Sequence, residues 1–159
     1  MDGPLRIAFS APRASFLKPG ASGDRVFVRT FLEAMQAQGH RVEIVSHFDV
    51  RDLWRGRVPI RRFLAEAIAV RRRARRLAPH GWLVYSSSVT YPDLFGWWLR
   101  PKRYVLLVAY PGHPERMSRA WRRLFVFAFR RSLARADVVT VFRAAGVEHM
   151  TDMGVPEAR

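Results

Sequence analysis

The residues in this chain that are able to do chemistry gather where apolar runs end. His47 follows the run Arg41 to Ser46, Ser86, Ser87 and Ser88 close the run that begins at Trp82, and His113 lies just beyond the run Tyr104 to Ala109. Gly20, Ser22 and Gly23 lie between a first apolar run and an amphipathic segment. Imidazole and hydroxyl groups at such places can hydrogen-bond a polar ligand, although ordinary loop polarity explains them equally well. Small residues ahead of a helix let backbone N–H groups approach an anion, which the helix N-terminus favours; a plain turn is the other reading. Asp24 opposes an anion there, or caps the helix.

Other chemistries find little support. There is no cysteine, so disulfides and thiolate metal sites are excluded within these 159 residues. The histidines at 40, 47, 80, 113 and 149 contain no H-x-x-x-H pair. No Ser–His–Asp order stands out. His40 reads as a structural residue at a helix–strand turn, and His80 and His149 as residues near helix ends. A dinucleotide fingerprint needs tightly spaced glycines and an acidic residue closing the second strand. Here the loop is long and that strand ends in Ser46 and His47.

The elements that must position these residues alternate between strand and helix. Short apolar runs at Leu5 to Ala11, Arg41 to Ser46, Trp82 to Ser86, Tyr104 to Ala109 and Asp137 to Phe142 read as buried parallel strands. Between them lie helical patterns over about 24–38, 60–77 and 115–136, a short one from about Pro92, and a last one over about 144–153. Val28, Phe31, Leu32 and Met35 form an apolar face on the first, and Gly39 stops it. Residues 49–58 read as a polar connection. In the second long helix, Phe63, Leu64, Ala67, Ile68 and Leu77 are expected to pack inward. The class expected is α/β: a Rossmann-like three-layer domain with a mostly parallel sheet of five or more strands and helices on both faces.

The formal net charge is +15, carried almost wholly by arginine, with Lys18 and Lys102 as the lysines. The segment 55–76 holds nine Arg and one Glu, and 115–135 holds seven Arg and one Glu among Met117, Trp121, Leu124, Phe125, Phe127 and Phe129. Arginine interleaved with aromatics suits an anionic membrane interface, with Arg116, Arg119, Trp121, Arg122 and Arg123 as the expected surface. An amphipathic helix with a solvated arginine face is the plainer reading. Nucleic acid is disfavoured, because no helix-turn-helix, RNP pair or zinc module accompanies the charge. No secretory signal and no run of apolar residues long enough to span a bilayer are present.

Three segments together resemble the N-terminal, acceptor-side domain of GT-B glycosyltransferases of family four. They are LRIAFSAP followed by PGASGDRVFVRTFLEAMQAQGHRVEIVS, with Gly39–Val42 as the G-H-x-V entry to strand two; the turn containing His113; and ADVVTVFRAAGVEHMTDMGVP. Each motif is weak alone, and their order and spacing carry the likeness. Gly20 and Gly23 are separated where the family often has adjacent glycines, and Phe142 or Arg143 stands at the family's serine position.

The resemblance implies a single N-terminal domain over 1–159 without its donor-binding partner. It implies retaining transfer of a sugar from a nucleotide-sugar co-substrate to a glycan or lipid-linked acceptor. It requires no metal or other cofactor. His113 would contact the transferred sugar, and Gly20, Ser22, Gly23, Ser86, Ser87 and His47 would bind substrate or donor. The family's donor half uses two glutamates eight positions apart. Glu33, Glu43, Glu66, Glu115, Glu148 and Glu157 contain no such pair. The missing partner would be a donor-binding domain or subunit, and the expected setting is cytoplasmic, peripheral on the inner membrane face. The alternatives are a non-enzymatic basic module binding anionic membrane or a partner protein, and a divergent nucleotide-binding Rossmann domain.

Overall fold

A computed structural model describes residues 3–20, 22–108 and 117–141. Five strands form one sheet: β1 (Arg6–Ser10), β2 (Arg41–Ser46), β3 (Gly81–Tyr85), β4 (Tyr104–Val108) and β5 (Val138–Val141). Every pairing is parallel and the order is β2-β1-β3-β4-β5. The helices are α1 (Gly23–Ala37), α2 (Val50–Trp54), α3 (Ile60–Leu77), α4 (Gly96–Leu99) and α5 (Arg119–Arg135). A 3-10 turn, Ala14–Leu17, follows β1. This is the Rossmann-like α/β architecture expected from the alternation of apolar runs and amphipathic segments.

Strand alternation sends side chains to two faces, and each face has its own core. Ile7, Phe9, Leu83 and Tyr85 meet Val28 of α1, with Phe31, Leu32 and Met35 packed beside them. Ala8, Val45, Trp82, Val84, Tyr104, Leu106 and Val108 meet Val70 and Leu77 of α3 and Phe125, Phe129 and Leu133 of α5. The sheet is thus the middle of three layers. α1 ends where the sequence says it should: Gly39 takes φ +81°, and the N–H groups of Gly39 and His40 close back onto the carbonyls of Gln36 and Met35.

Two elements depart from the sequence reading. Residues 49–58 contain α2, whose first turn is capped by the Asp49 carboxylate accepting from Arg51 N at 3.0 Å. On α3, Phe63, Ala67 and Leu77 do pack inward, but Leu64 and Ile68 are each 54% exposed and Ile60 is 59% exposed. A helix turns 100° per residue, so positions 60, 64 and 68 follow one line. That line lies off the face set by Phe63, Val70, Ala74 and Leu77. The apolar residues of α3 thus span a wider arc than the face that packs on the sheet.

Candidate functional site

In open parallel sheets, ligands bind beyond the carboxyl ends of the strands, where successive connections leave in opposite directions. With the order β2-β1-β3-β4-β5, that point falls between β1 and β3. The loops leaving these two strands therefore define the candidate site.

The loop after β1 brings Arg13 to this edge. Its guanidinium carbon lies 5.0 Å from the Phe16 ring centre and 5.6 Å from that of Tyr91. Phe16 belongs to the 3-10 turn after β1 and Tyr91 to the loop after β3, so one cation spans both loops. Arg13 Nε is buried and has no internal hydrogen-bond partner. Sequence reasoning passed over Arg13, because a single arginine in so basic a chain carries no spacing signal.

The loop after β3 begins with Ser86, which adopts φ +60°, a left-handed conformation that costs a non-glycine residue roughly 1 kcal/mol. Ser87 is fully buried; its N–H donates to the Leu107 carbonyl at 3.2 Å, yet its Oγ has no partner. Ser88 is consumed by its own loop: its Oγ accepts from Tyr91 N at 3.2 Å and lies 3.3 Å from the Thr90 hydroxyl. Ser86, Ser87 and Ser88 thus lie in the loop that leaves β3, and Ser87 Oγ has no internal hydrogen-bond partner.

His47 sits just past β2, exposed, on a cavity of about 300 Å³ that it shares with Lys18, Asp49, Arg51, Arg57 and Arg62 among others. Arg51 and Arg57 pair there with Asp49 and Asp52 at 3.8 and 3.7 Å. This cavity opens on the same edge of the sheet, on the β2 side.

The glycine loop is less open than its composition suggests. The Arg25 guanidinium donates to the Pro19 carbonyl at 3.0 Å and covers Gly20, so that a Cβ there would collide with it. Ser22 is the residue before α1 but makes no side-chain cap, and Gly23 opens the helix with free space around it. Asp24 neither caps the helix nor stands alone: its Oδ1 accepts from the Tyr85 hydroxyl at 2.9 Å, tying α1 to β3. Burial and then Asp24 push the Tyr85 phenol far above its usual range, so it stays a neutral donor.

His113 and Arg116 lie outside the described residues. Arg119, Trp121, Arg122 and Arg123 fall in the first turns of α5. The arginines are exposed, and Trp121 is half-buried with its ring edge-on to Phe125 at 5.6 Å. His40 and His80 serve structure, their Nδ1 atoms accepting from Leu5 N at 3.3 Å and Arg6 N at 3.1 Å. Among the described residues, no group of His, Asp or Glu could hold a metal ion, and no helix is long and apolar enough to cross a membrane.

No protein-family model matches the chain, and neither a curated protein nor a solved structure matches it.

Proposed function

We propose that this chain is the acceptor-side domain of a retaining glycosyltransferase, moving a sugar from a nucleotide-sugar to a glycan or lipid-linked acceptor when a donor-binding domain or subunit faces it. The observation that carries the reading is the strand-end edge beyond β1 and β3, where Arg13 Nε and Ser87 Oγ are buried without internal partners. Buried polar groups are satisfied in nearly all proteins, and a sugar supplies both the acceptors and the donors they lack. Arg13, with the loop of Ser86 to Ser88 beside it, then binds and orients the acceptor, His47 lines its outer end, and His113 contacts the transferred sugar as the family resemblance implies.

The test is a titration of the chain with an alkyl glycoside, followed by amide NMR. Shifts centred on Arg13, His47 and Ser86 to Ser88, and lost in Arg13→Ala, support the assignment. Sugar transfer by the chain alone overturns the half-site reading. Tight binding of UDP or NAD by the chain alone favours a self-sufficient nucleotide-binding domain instead.

A second reading, peripheral contact with an anionic bilayer, rests on the outer faces of α3 and α5. Ile60, Leu64 and Ile68 on α3, and Leu124 and Phe127 at 49% and 48% exposure on α5, stand among arginines. Apolar side chains can enter the interface while each basic residue near an anionic surface adds about 1 kcal/mol. Flotation with phosphatidylglycerol vesicles at low salt, lost at high salt, is the expected behaviour; absence of flotation at low salt eliminates it.

A further inference from the structure

The opposite edge of the sheet, where strands begin, holds a second cavity of about 650 Å³ between the end of α3 and the loop after α4. Its charged lining is Arg6, Arg71, Arg75, Arg100 and Lys102, with His80 beside them and no carboxylate. The ion pairs of the described residues, at Arg41, Arg51, Arg57, Arg73 and Arg103, include none of these five cations.

Helix-end electrostatics account for part of this concentration. Arg6 Nε donates to the carbonyls of Leu77 and Ala78 at 3.0 and 3.1 Å, and Arg75 lies in the last turn of α3, where a cation complements the dipole. Arg100 follows the last turn of α4, but Arg71, inside α3, and Lys102 have no such reason to converge. Like charges gathered in a concavity repel one another, and the arrangement costs stability unless an anion enters.

The backbone gives an independent sign. Non-glycine residues with positive φ are Ala78, Ser86 and Arg100 among the described residues, and Ala78 and Arg100 both line this cavity. Arg100, at φ +53° and ψ +59°, occupies a helix-ending position that glycine fills without strain. A long cation held in a conformation that suits glycine points to a use for the cation. Trp98 supplies a flat wall, its Nε1 donating to the Leu94 carbonyl at 2.9 Å.

We propose that this cavity binds a multiply charged phosphate group, a pyrophosphate or a phosphate ester, at a site distinct from the candidate site beyond β1 and β3. Several guanidinium forks and an ammonium match phosphate oxygens in both charge and geometry. The phosphate can belong to a soluble compound or to a lipid headgroup. The assignment is independent of sugar transfer.

Calorimetric titration of the whole chain with inorganic pyrophosphate tests the soluble source, and flotation with phosphatidylglycerol vesicles tests the lipid source. The variants are Arg100→Gly, Arg71→Ala/Arg75→Ala and, as a control of equal charge change away from the cavity and from the outer faces of α3 and α5, Arg29→Ala/Arg55→Ala. Arg100→Gly separates binding from folding: it relieves backbone strain, so its Tm rises while binding weakens tenfold or more. Pyrophosphate binding lost in the cavity variants and kept in the control establishes a site for soluble phosphate. Vesicle binding with that same pattern, without pyrophosphate binding, establishes a headgroup site. Binding that falls equally in the control, binding that survives the cavity variants, or no binding to either probe overturns the proposal.

Discussion

At the scale of single residues, buried polar groups set the strongest constraints. Arg13 is held by two rings rather than by a carboxylate, and such contacts contribute on the order of 1 kcal/mol each. Asp93 is 1% exposed and accepts from Phe95 N at 3.0 Å, Gly96 N at 2.9 Å and the Tyr104 hydroxyl at 2.7 Å. Asp93→Ala leaves these donors buried without an acceptor, and a loss of about 3 kcal/mol is expected in urea denaturation. Desolvation raises the Asp93 pKa above 3.8, against the pull of those donors. The folded chain therefore holds a proton on Asp93 at pH values where the unfolded chain has released it. Its contribution to stability is full below 3.8 and declines as pH rises through the folded pKa. Asp93→Asn should flatten that part of the stability–pH curve; an unchanged slope would mean that the carboxyl titrates normally. Gly96 is constrained by the same cluster, because an added Cβ would collide with the Asp93 carboxylate and come within 2.6 Å of Trp82 Nε1. Gly96→Ala is expected to cost about 2 kcal/mol.

At the scale of elements, α3 carries two faces of different kinds. Val70 is fully buried, and Val70→Ala should cost about 2 kcal/mol through the cavity it leaves. Leu64→Asp and Ile68→Asp, on the exposed line, should change stability by only about 0.5 kcal/mol each, as surface substitutions do. If the peripheral-membrane reading holds, the same two changes abolish vesicle flotation without lowering Tm. The end of α3 offers another test. Ala78 stands in the left-handed region at φ +44°, and Ala78→Gly should stabilise the chain by on the order of 1 kcal/mol, read as a higher Tm.

For the whole molecule, the charge of +15 is the dominant electrostatic fact. Self-repulsion of such a chain weakens the compact state, and salt screens it. Thermal unfolding at rising NaCl should therefore show a rising Tm. A gain of ~1 kcal/mol would appear as roughly 2–4 °C. A Tm that falls with salt would mean that favourable ion pairs outweigh the repulsion.

Apolar runs and helical periodicity were enough to read five strands, the long helices and the α/β class from the chain alone. These are local signals: β4 is Tyr-Val-Leu-Leu-Val, and α1 stops at a glycine because only glycine takes φ +81° without strain. The positions of His47 and of Ser86 to Ser88 just past β2 and β3 were legible for the same reason, since a strand end is visible in the sequence. What remained hidden depends on contacts between distant segments. Strand order places Arg13 beside Tyr91, and a hydrogen bond to Tyr85 removes Asp24 from any capping role. The turn of α3 against the sheet exposes Leu64 and Ile68. Composition showed that the chain is rich in arginine, but only the tertiary structure gathers Arg6, Arg71, Arg75, Arg100 and Lys102 around one cavity, because they come from three separate parts of the chain.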